Sequence, residues 1–202
     1  MTSSRSTPLS FDGPARPLLA GLLAIQGFLG YEWLMSGLSK VLNASFVPGL
    51  GDNLSDASKA LTGPYKSFLD AIVIPNAQAF AFLVLLGELG LGVLLIATAL
   101  VWWFRWHRLS LTGRSILLGL IIAAGVVAIL MNVNFHLANG GNHPWLIAAD
   151  PFDEGVDLDS VMPLVQAAIS LVALRLLLDV RQVDVPAKAS AAARGVADPR
   201  LS

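Results

Sequence analysis

The chain has 202 residues, of which 55% are hydrophobic and 13% charged, and its net charge at pH 7 is −1. Soluble domains contain about 25% charged residues, so this composition and the mean hydropathy of +0.68 are those of a membrane protein. The net charge gives no support to nucleic-acid binding, and the absence of cysteine excludes disulfides, thiolate metal sites and iron–sulfur clusters within the chain.

Four segments are long and apolar enough to cross a bilayer, which takes about 20 helical residues. They are residues 17–42, 76–103, 115–138 and 160–180. The sequence therefore predicts an all-α integral membrane four-helix bundle over residues 17–180. A cytoplasmic segment, residues 1–16, precedes it, and a disordered cytoplasmic tail, residues 181–202, follows it. A signal peptide is an alternative for the first segment, but no small-x-small cleavage site follows its apolar run.

The charges of the loops predict the orientation of the bundle. The loop between the second and third spans carries Arg105, Arg108 and Arg114 and no acidic residue. The next loop carries five acidic residues and neither Lys nor Arg. Because positively charged loops stay in the cytoplasm, we expect the arginine loop and both termini inside, and the first and third loops outside.

The first outer loop, residues 43–75, is long for a connection, and such loops are usually functional or disordered. Within it, Pro64 suits the first position of a helix. Apolar residues follow at helical spacing: Tyr65, Phe68, Leu69, Ile72 and Val73. The pattern predicts a short amphipathic helix over the outer mouth of the bundle. A plain interfacial helix with no role at a site explains the pattern equally well.

Glu32 and Glu88 lie inside the first and second spans, where an ionised carboxylate costs several kcal/mol. Counting the helical rise places Glu88 about 18 Å below the outer edge and Glu32 about 22 Å above the inner edge of a core about 30 Å thick. Glu88 is thus expected near mid-membrane, with Glu32 somewhat further outward. Both are candidates for proton transfer or ligand binding. The structural alternative is a protonated carboxyl that bonds across helices and holds them together.

Other polar residues follow the two glutamates toward the outer rim. Lys40 shares a helix face with Glu32, and Asn132, His136 and Asn139 recur at steps of four and three on the third span. Depth alone suggests that Glu32, Glu88, Lys40, Asn132 and His136 line one outward-opening cavity. We therefore take Lys40, Asn132, His136 and Asn139 as candidate substrate-binding residues. For Lys40 the alternative is a rim lysine whose ammonium extends to water.

The histidines give little support to a metal or a covalent cofactor. His136 and His143 are seven residues apart across a Gly-Gly turn, a spacing that matches neither Glu-x-x-His nor His-x-x-x-His. A haem with two histidine ligands needs facing helices, and no other span carries a histidine. The acidic third loop lacks the spacing of an EF-hand. We predict no metal site and no covalent cofactor.

Two short motifs resemble a known family. The first span ends in Gly37-Leu-Ser-Lys40, and the second contains Glu88-Leu-Gly90. With the four spans, over residues 17–180, they resemble the DoxX/DoxD family of small bacterial and archaeal membrane proteins. In that family the first span ends in Gly-x-x-Lys and the second carries a Glu followed by glycine. The resemblance implies a four-helix bundle in the cytoplasmic (inner) membrane.

The resemblance also implies a redox-associated function. The best-described member type of the family is a subunit of an archaeal thiosulfate:quinone oxidoreductase, and other members are described as partners of redox and sulfur-handling proteins. The expectation is therefore a donor:quinone oxidoreductase subunit, with quinone as substrate and Glu88 and Glu32 handling protons. Without cysteine the chain cannot carry a covalent sulfur adduct on a thiol.

Two other functions fit the same sequence. A non-catalytic accessory or assembly subunit of a larger membrane complex needs no redox-active residue. It would contact its partner subunits through the first outer loop and through the tryptophans at the inner end of the second span, Trp102, Trp103 and Trp106. A small proton-coupled transporter is a third reading, against which the small size and the lack of an inverted repeat count. Membrane lipid is an expected partner in every case. Other redox or membrane subunits, or further copies of the chain, are expected as well.

Overall fold

The computed structural model describes the backbone of residues 16–138 and 158–196, and the surroundings of side chains within 18–138 and 161–182. Six α-helices follow one another in this part of the chain: α1 Arg16–Leu42, α2 Phe46–Ser58, α3 Gly63–Phe68, α4 Ala77–Arg105, α5 Leu111–Ala138 and α6 Leu158–Val196. A π-helical stretch, Leu69–Val73, and a 3-10 turn, Ile74–Asn76, join α3 to α4, and a second 3-10 turn, Trp106–Arg108, follows α4.

Four helical segments are long and apolar enough to cross a membrane: Leu18–Leu42, Gly63–Arg108, Leu111–Ala138 and Val161–Gln182. Large apolar side chains cover the outside of the bundle, as at Leu18, Phe28 and Leu86, each more than 60% exposed. Glu88, Asn132 and other polar side chains are buried between the helices. This distribution suits lipid surroundings, and it confirms the predicted all-α membrane four-helix bundle.

Glycine contacts hold α1 against α4. A Cβ atom built on Gly92 would lie 2.6 Å from the backbone nitrogen of Leu34, and one on Gly37 would lie 2.9 Å from that of Leu89. Only glycine permits so close an approach of two helix backbones. The other principal contact joins α5 to α6, and α4 packs on α5 to join the two pairs.

A buried hydrogen bond also links α1 to α4. The Nε2 of Gln26 donates to the carbonyl oxygen of Leu95 at 3.1 Å and to the Oγ1 of Thr98 at 2.8 Å. Hydrogen bonds between membrane helices contribute on average about 0.6 and at most about 1.7 kcal/mol. We expect Gln26→Met to lower the free energy of unfolding by about 1 kcal/mol, measured by SDS titration in mixed micelles. In the Gln26→Met/Thr98→Val double variant the loss should be smaller than the sum of the two single losses; strict additivity would contradict a direct bond.

The helices α2 and α3 form a cap over the end of the bundle where α1 stops and α4 starts. Helix α3 begins at Gly63, whose φ of 77° lies in the left-handed region, with Pro64 in its first turn. Leu69 and Val73 are buried, together with Leu61 of the preceding turn. The predicted amphipathic helix is present, but its second half is π-helical. Helix α2 is an additional element that the sequence reading placed within an irregular loop.

A partly buried polar contact joins α2 to the α3 segment of the cap. Lys66 donates to the hydroxyl of Ser58 at 2.9 Å and lies 2.9 Å from a carboxylate oxygen of Asp70. Ser58 in turn donates to the other carboxylate oxygen of Asp70. Tyr65 anchors the cap to the bundle, since its hydroxyl donates to the carbonyl oxygen of Asn134 at 3.1 Å.

The described backbone of α6 remains helical as far as Val196, beyond the predicted end of the fourth span at residue 180. Composition predicted disorder from residue 181 because of the charges and Pro186. The structure differs for residues 181–196, where an alanine-rich run supplies high helix propensity. Residues 1–15 and 197–202 lie outside the described residues, as does the predicted acidic loop up to Asp157.

Candidate functional site

An ion pair joins α1 to α4 inside the bundle. The Nζ atom of Lys40 donates a hydrogen bond to Oε1 of Glu88 at 2.8 Å and lies 2.8 Å from Oε2. Oε2 has no hydrogen-bond donor in suitable geometry among the described residues. The Glu88 side chain is 1% exposed and that of Lys40 is 23% exposed. The carboxylate is therefore enclosed by protein, while the ammonium keeps an open side.

Two further side chains, one from α1 and one from α2, contact the ammonium group of Lys40. Ser36 lies one helical turn before Lys40, and its Oγ accepts a hydrogen bond from Nζ at 2.9 Å. Nζ also lies 5.5 Å from the centre of the Phe46 ring, within the range of a cation–π interaction. The lysine is thus held by three groups from α1, α4 and α2, and its position is fixed rather than that of a mobile rim residue.

The register of α1 against α4 brings these residues together. The two helices run antiparallel, with Gly37 opposite Leu89 and Leu34 opposite Gly92. By this register Glu88 is level with Leu38, close to the end of α1 that carries Lys40. At this level the Lys40 side chain, one half-turn further along α1, reaches the Glu88 carboxylate.

This register reverses the predicted depths of the two glutamates. Glu32 lies six residues before Leu38, about 9 Å further from the capped end than Glu88. The prediction that Glu32 lies nearer the outer rim than Glu88 is therefore wrong. That prediction placed the outer membrane edge of the second span at residue 76. In the structure the helical segment already begins at Gly63, within the cap, so residue 76 does not mark its outer end. Glu32 is half-buried, on α1 between the core and the surface.

A cavity of about 660 Å³ lies between the cap and the bundle, and both Glu88 and Lys40 line it. Its volume falls within the range of about 300–1,000 Å³ typical of small-molecule sites. Its remaining walls are mostly apolar and aromatic, and they come from α1, α2, the α3 segment, α4 and α5. These lining residues include Ser36, Phe46, Leu50, Asn53, Leu54, Tyr65, Phe68, Phe80, Leu83, Val84, Met131, Asn134 and Phe135.

The cavity is apolar except at one wall, where the ion pair lies. Lys40 and Glu88 are the ionised side chains among its lining residues, and their charges cancel. Ser36, Asn53, Tyr65 and Asn134 add neutral polar groups. Such a site suits a flat, uncharged, partly polar ligand better than an inorganic anion, since no net positive charge is available to balance the anion.

Three of the five residues expected around one cavity do not line it. Asn132 and His136 are buried, at 3% and 6% exposure, but α5 presents Met131, Asn134 and Phe135 to the cavity instead. Glu32 is not among the lining residues either. Asn139 lies outside the described residues. The prediction of one shared cavity thus holds for Glu88 and Lys40 and is wrong for Glu32, Asn132 and His136.

A second set of buried polar atoms marks the opposite side of α5. The Nδ2 of Asn132 and both amide atoms of Gln166 have no hydrogen-bond partner among the described residues. Gln166 lies on the face of α6 that packs against Gly125 of α5. The described residues contain no group of three or more His, Asp or Glu side chains placed to hold a metal ion.

Sequence reasoning missed the contributions of α2 and of Asn134. A signal was present for α2, because Phe46, Leu50 and Leu54 recur every four residues, and all three line the cavity. Asn134 lies within the polar stretch of α5, but helical periodicity could not decide which face of α5 would line the cavity.

Comparisons with known proteins leave the family open. No protein-family model matches this chain, and neither the curated proteins nor the solved structures give a match.

Proposed function

We propose that the chain is a DoxX/DoxD-like membrane subunit of a redox system and that its capped cavity binds a quinone. The observation that carries the proposal is the Lys40–Glu88 ion pair at the wall of a 660 Å³ aromatic cavity within an apolar bundle. Ligand sites combine apolar walls with a few placed polar groups that fix orientation. A quinone has a flat ring for the aromatic walls and carbonyl oxygens for the polar wall.

The chemistry of the pair matches the two states of such a ligand. The Lys40 ammonium, with its open side, is a donor for a quinone carbonyl oxygen, and the Glu88 carboxylate is an acceptor for a quinol hydroxyl. Reduction of a quinone takes up two electrons and two protons. An acid and a base in direct contact at the ring can deliver or remove a proton as the electrons move. The electrons come from a donor bound to a partner subunit.

An anionic electron donor such as thiosulfate would bind outside this cavity. The charges of Lys40 and Glu88 cancel, and His136, the other basic side chain among the candidate substrate-binding residues, does not line the cavity. We further propose that the membrane is the cytoplasmic membrane of a bacterium or archaeon. The arginines between α4 and α5 then place the cap on the outer side.

A pair of matched variants tests the proposal. Purified protein in detergent is titrated with decylubiquinone, and binding is followed by the quenching of tryptophan fluorescence. Trp33 lies beside the cavity, its ring centre 6.3 Å from that of Phe135. We expect saturable binding that Glu88→Gln weakens about tenfold, the equivalent of about 1.4 kcal/mol. Glu32→Gln makes the same chemical change outside the cavity lining and should leave the affinity unchanged.

Two results would count against the quinone proposal. One is the absence of saturable binding in a folded wild-type protein, which would favour the accessory-subunit function if the chain also co-purifies in a fixed ratio with other membrane proteins. The other is an equal loss of affinity in Glu88→Gln and Glu32→Gln, which would show that the quinone does not bind in the cavity.

A further inference from the structure

The end of the bundle away from the cap carries a second, smaller cavity. It has a volume of about 190 Å³ and lies between the start of α1 and the end of α4. Its lining residues are Leu19, Ala20, Leu23, Trp102, Trp103, Trp106 and His107. The rings of Trp102 and Trp106 stack with their centres 5.0 Å apart, so they form a stiff, flat wall. The cavity is therefore a mostly apolar space, with His107 among its lining residues, at the end of the membrane-spanning segments.

Three arginines lie near residues that line this cavity, two of them in sequence and one in direct ring contact. Arg105 and Arg108 are exposed and flank the lining residues Trp106 and His107 in sequence. The guanidinium carbon of Arg114 lies 5.1 Å from the centre of the Trp106 ring, within the range of a cation–π interaction. Because no ion pair links any of the three to a carboxylate of the described chain, their positive charge is uncompensated there.

Arg114 has a buried donor that lacks an acceptor. Its Nε atom is shielded from solvent and has no hydrogen-bond partner within the described ranges. Arginine remains charged in a protein, and its planar fork fits the oxygens of a phosphate group. The contact with Trp106 places the guanidinium beside the wall of the cavity. The unmet donor and this position point to an anionic group as its missing partner.

We propose that this end of the bundle binds an anionic phospholipid. The head-group phosphate accepts hydrogen bonds from Arg105, Arg108 and Arg114, and a segment of acyl chain fills the cavity between α1 and α4. Most of the cavity wall is apolar, and in a bilayer the apolar group at hand is a lipid chain. Clusters of basic residues beside transmembrane helices attract anionic head groups. The charge and the apolar space together specify one molecule that carries both a phosphate and a chain, and the inference does not depend on the quinone proposal.

Native mass spectrometry of the full chain, stripped of lipid in detergent, tests the charge requirement. Phosphatidylglycerol and phosphatidylcholine of identical acyl chains are titrated separately. We expect the first lipid bound to show about a tenfold preference for phosphatidylglycerol. Arg108→Gln should reduce that preference at least threefold. Arg181→Gln removes one exposed arginine from α6 at the same end of the bundle and should leave the preference intact. Equal affinity for both lipids, or equal losses in the two variants, would overturn the proposal.

A third variant tests the chain-binding half of the proposal. Ala20→Leu narrows the cavity without changing any charge, and it should weaken phosphatidylglycerol binding severalfold. A soluble glycerol phosphate, which has no acyl chain, should bind neither the wild type nor this variant. A thermal melt like that of the wild type confirms that the variant is folded. Unchanged lipid affinity in this folded variant would overturn occupancy of the cavity by the acyl chain.

Discussion

Replacing Lys40 by methionine is expected to lower the free energy of unfolding by about 2–4 kcal/mol. The substitution keeps most of the side-chain volume but leaves Glu88, which is 1% exposed, without its cation. Breaking a buried ion pair by removing one partner costs about 3–5 kcal/mol, because an uncompensated charge remains inside. We expect a loss about 1 kcal/mol smaller than that range, since Lys40 keeps 23% exposure and solvent screens it in part. SDS titration in mixed micelles measures the loss.

Two comparisons show whether that loss comes from the ion pair. Lys59→Met makes the same substitution in the pair of Lys59 with Asp56, where both side chains are about three-quarters exposed, and it should leave the free energy of unfolding nearly unchanged because water screens the pair. The double variant Lys40→Met/Glu88→Gln removes both charges and should recover part of the stability lost in Lys40→Met. If the effects of the two single substitutions simply add, the two groups do not interact.

Replacing Gly92 by alanine is expected to destabilise the bundle by about 2–3 kcal/mol, near the top of the usual range for overpacking. The added methyl group would lie 2.6 Å from the backbone nitrogen and 2.7 Å from the Cα atom of Leu34. Backbone atoms of a packed helix cannot move aside as the end of a flexible side chain can. Helix α1 must therefore shift away from α4, and the contacts that place Lys40 beside Glu88 shift with it. A lower unfolding midpoint on heating in detergent measures the effect.

Gly90 supplies the matched control for Gly92. It lies two residues away on the same helix, it is exposed, and nothing lies within 4 Å of a Cβ atom built on it. Gly90→Ala should be neutral or stabilising, by up to about 1 kcal/mol, because alanine favours the helix more than glycine does. Equal destabilisation by both substitutions would show that the α1–α4 contact is not the cause.

Burial cost pointed to Glu88 before its surroundings were known. A carboxylate among apolar residues needs a partner, and the sequence offered Lys40 as a candidate group at the site without pairing the two. The same rule did not distinguish Glu88 from Glu32, since both interrupt apolar runs. The tertiary contacts between α1 and α4, among them Gly37–Leu89 and Gly92–Leu34, fix the register and put Lys40 beside one glutamate rather than the other.

Helix α2 shows why local signals can mislead in a loop. Pro48, Gly49 and Gly51 are typical of turns, and they obscured the Phe46–Leu50–Leu54 pattern. Proline is tolerated in the first turn of a helix, where its missing N–H has no partner to lose. The helix is stabilised by packing against α4 and by its share of the cavity wall, and these interactions arise only when the chain is folded.

The sequence by itself determined that this protein is a membrane bundle of four spanning helices and that it holds polar residues in its interior. Those properties follow from length, hydropathy and helical periodicity, which are local in the chain. The tertiary structure decided which of those polar residues meet. It paired Lys40 with Glu88 and turned Asn132 and His136 away from the cavity. The physical reason is that periodicity assigns residues to a face of one helix, whereas the rotation and register of that helix against its neighbours depend on close packing at a few glycines.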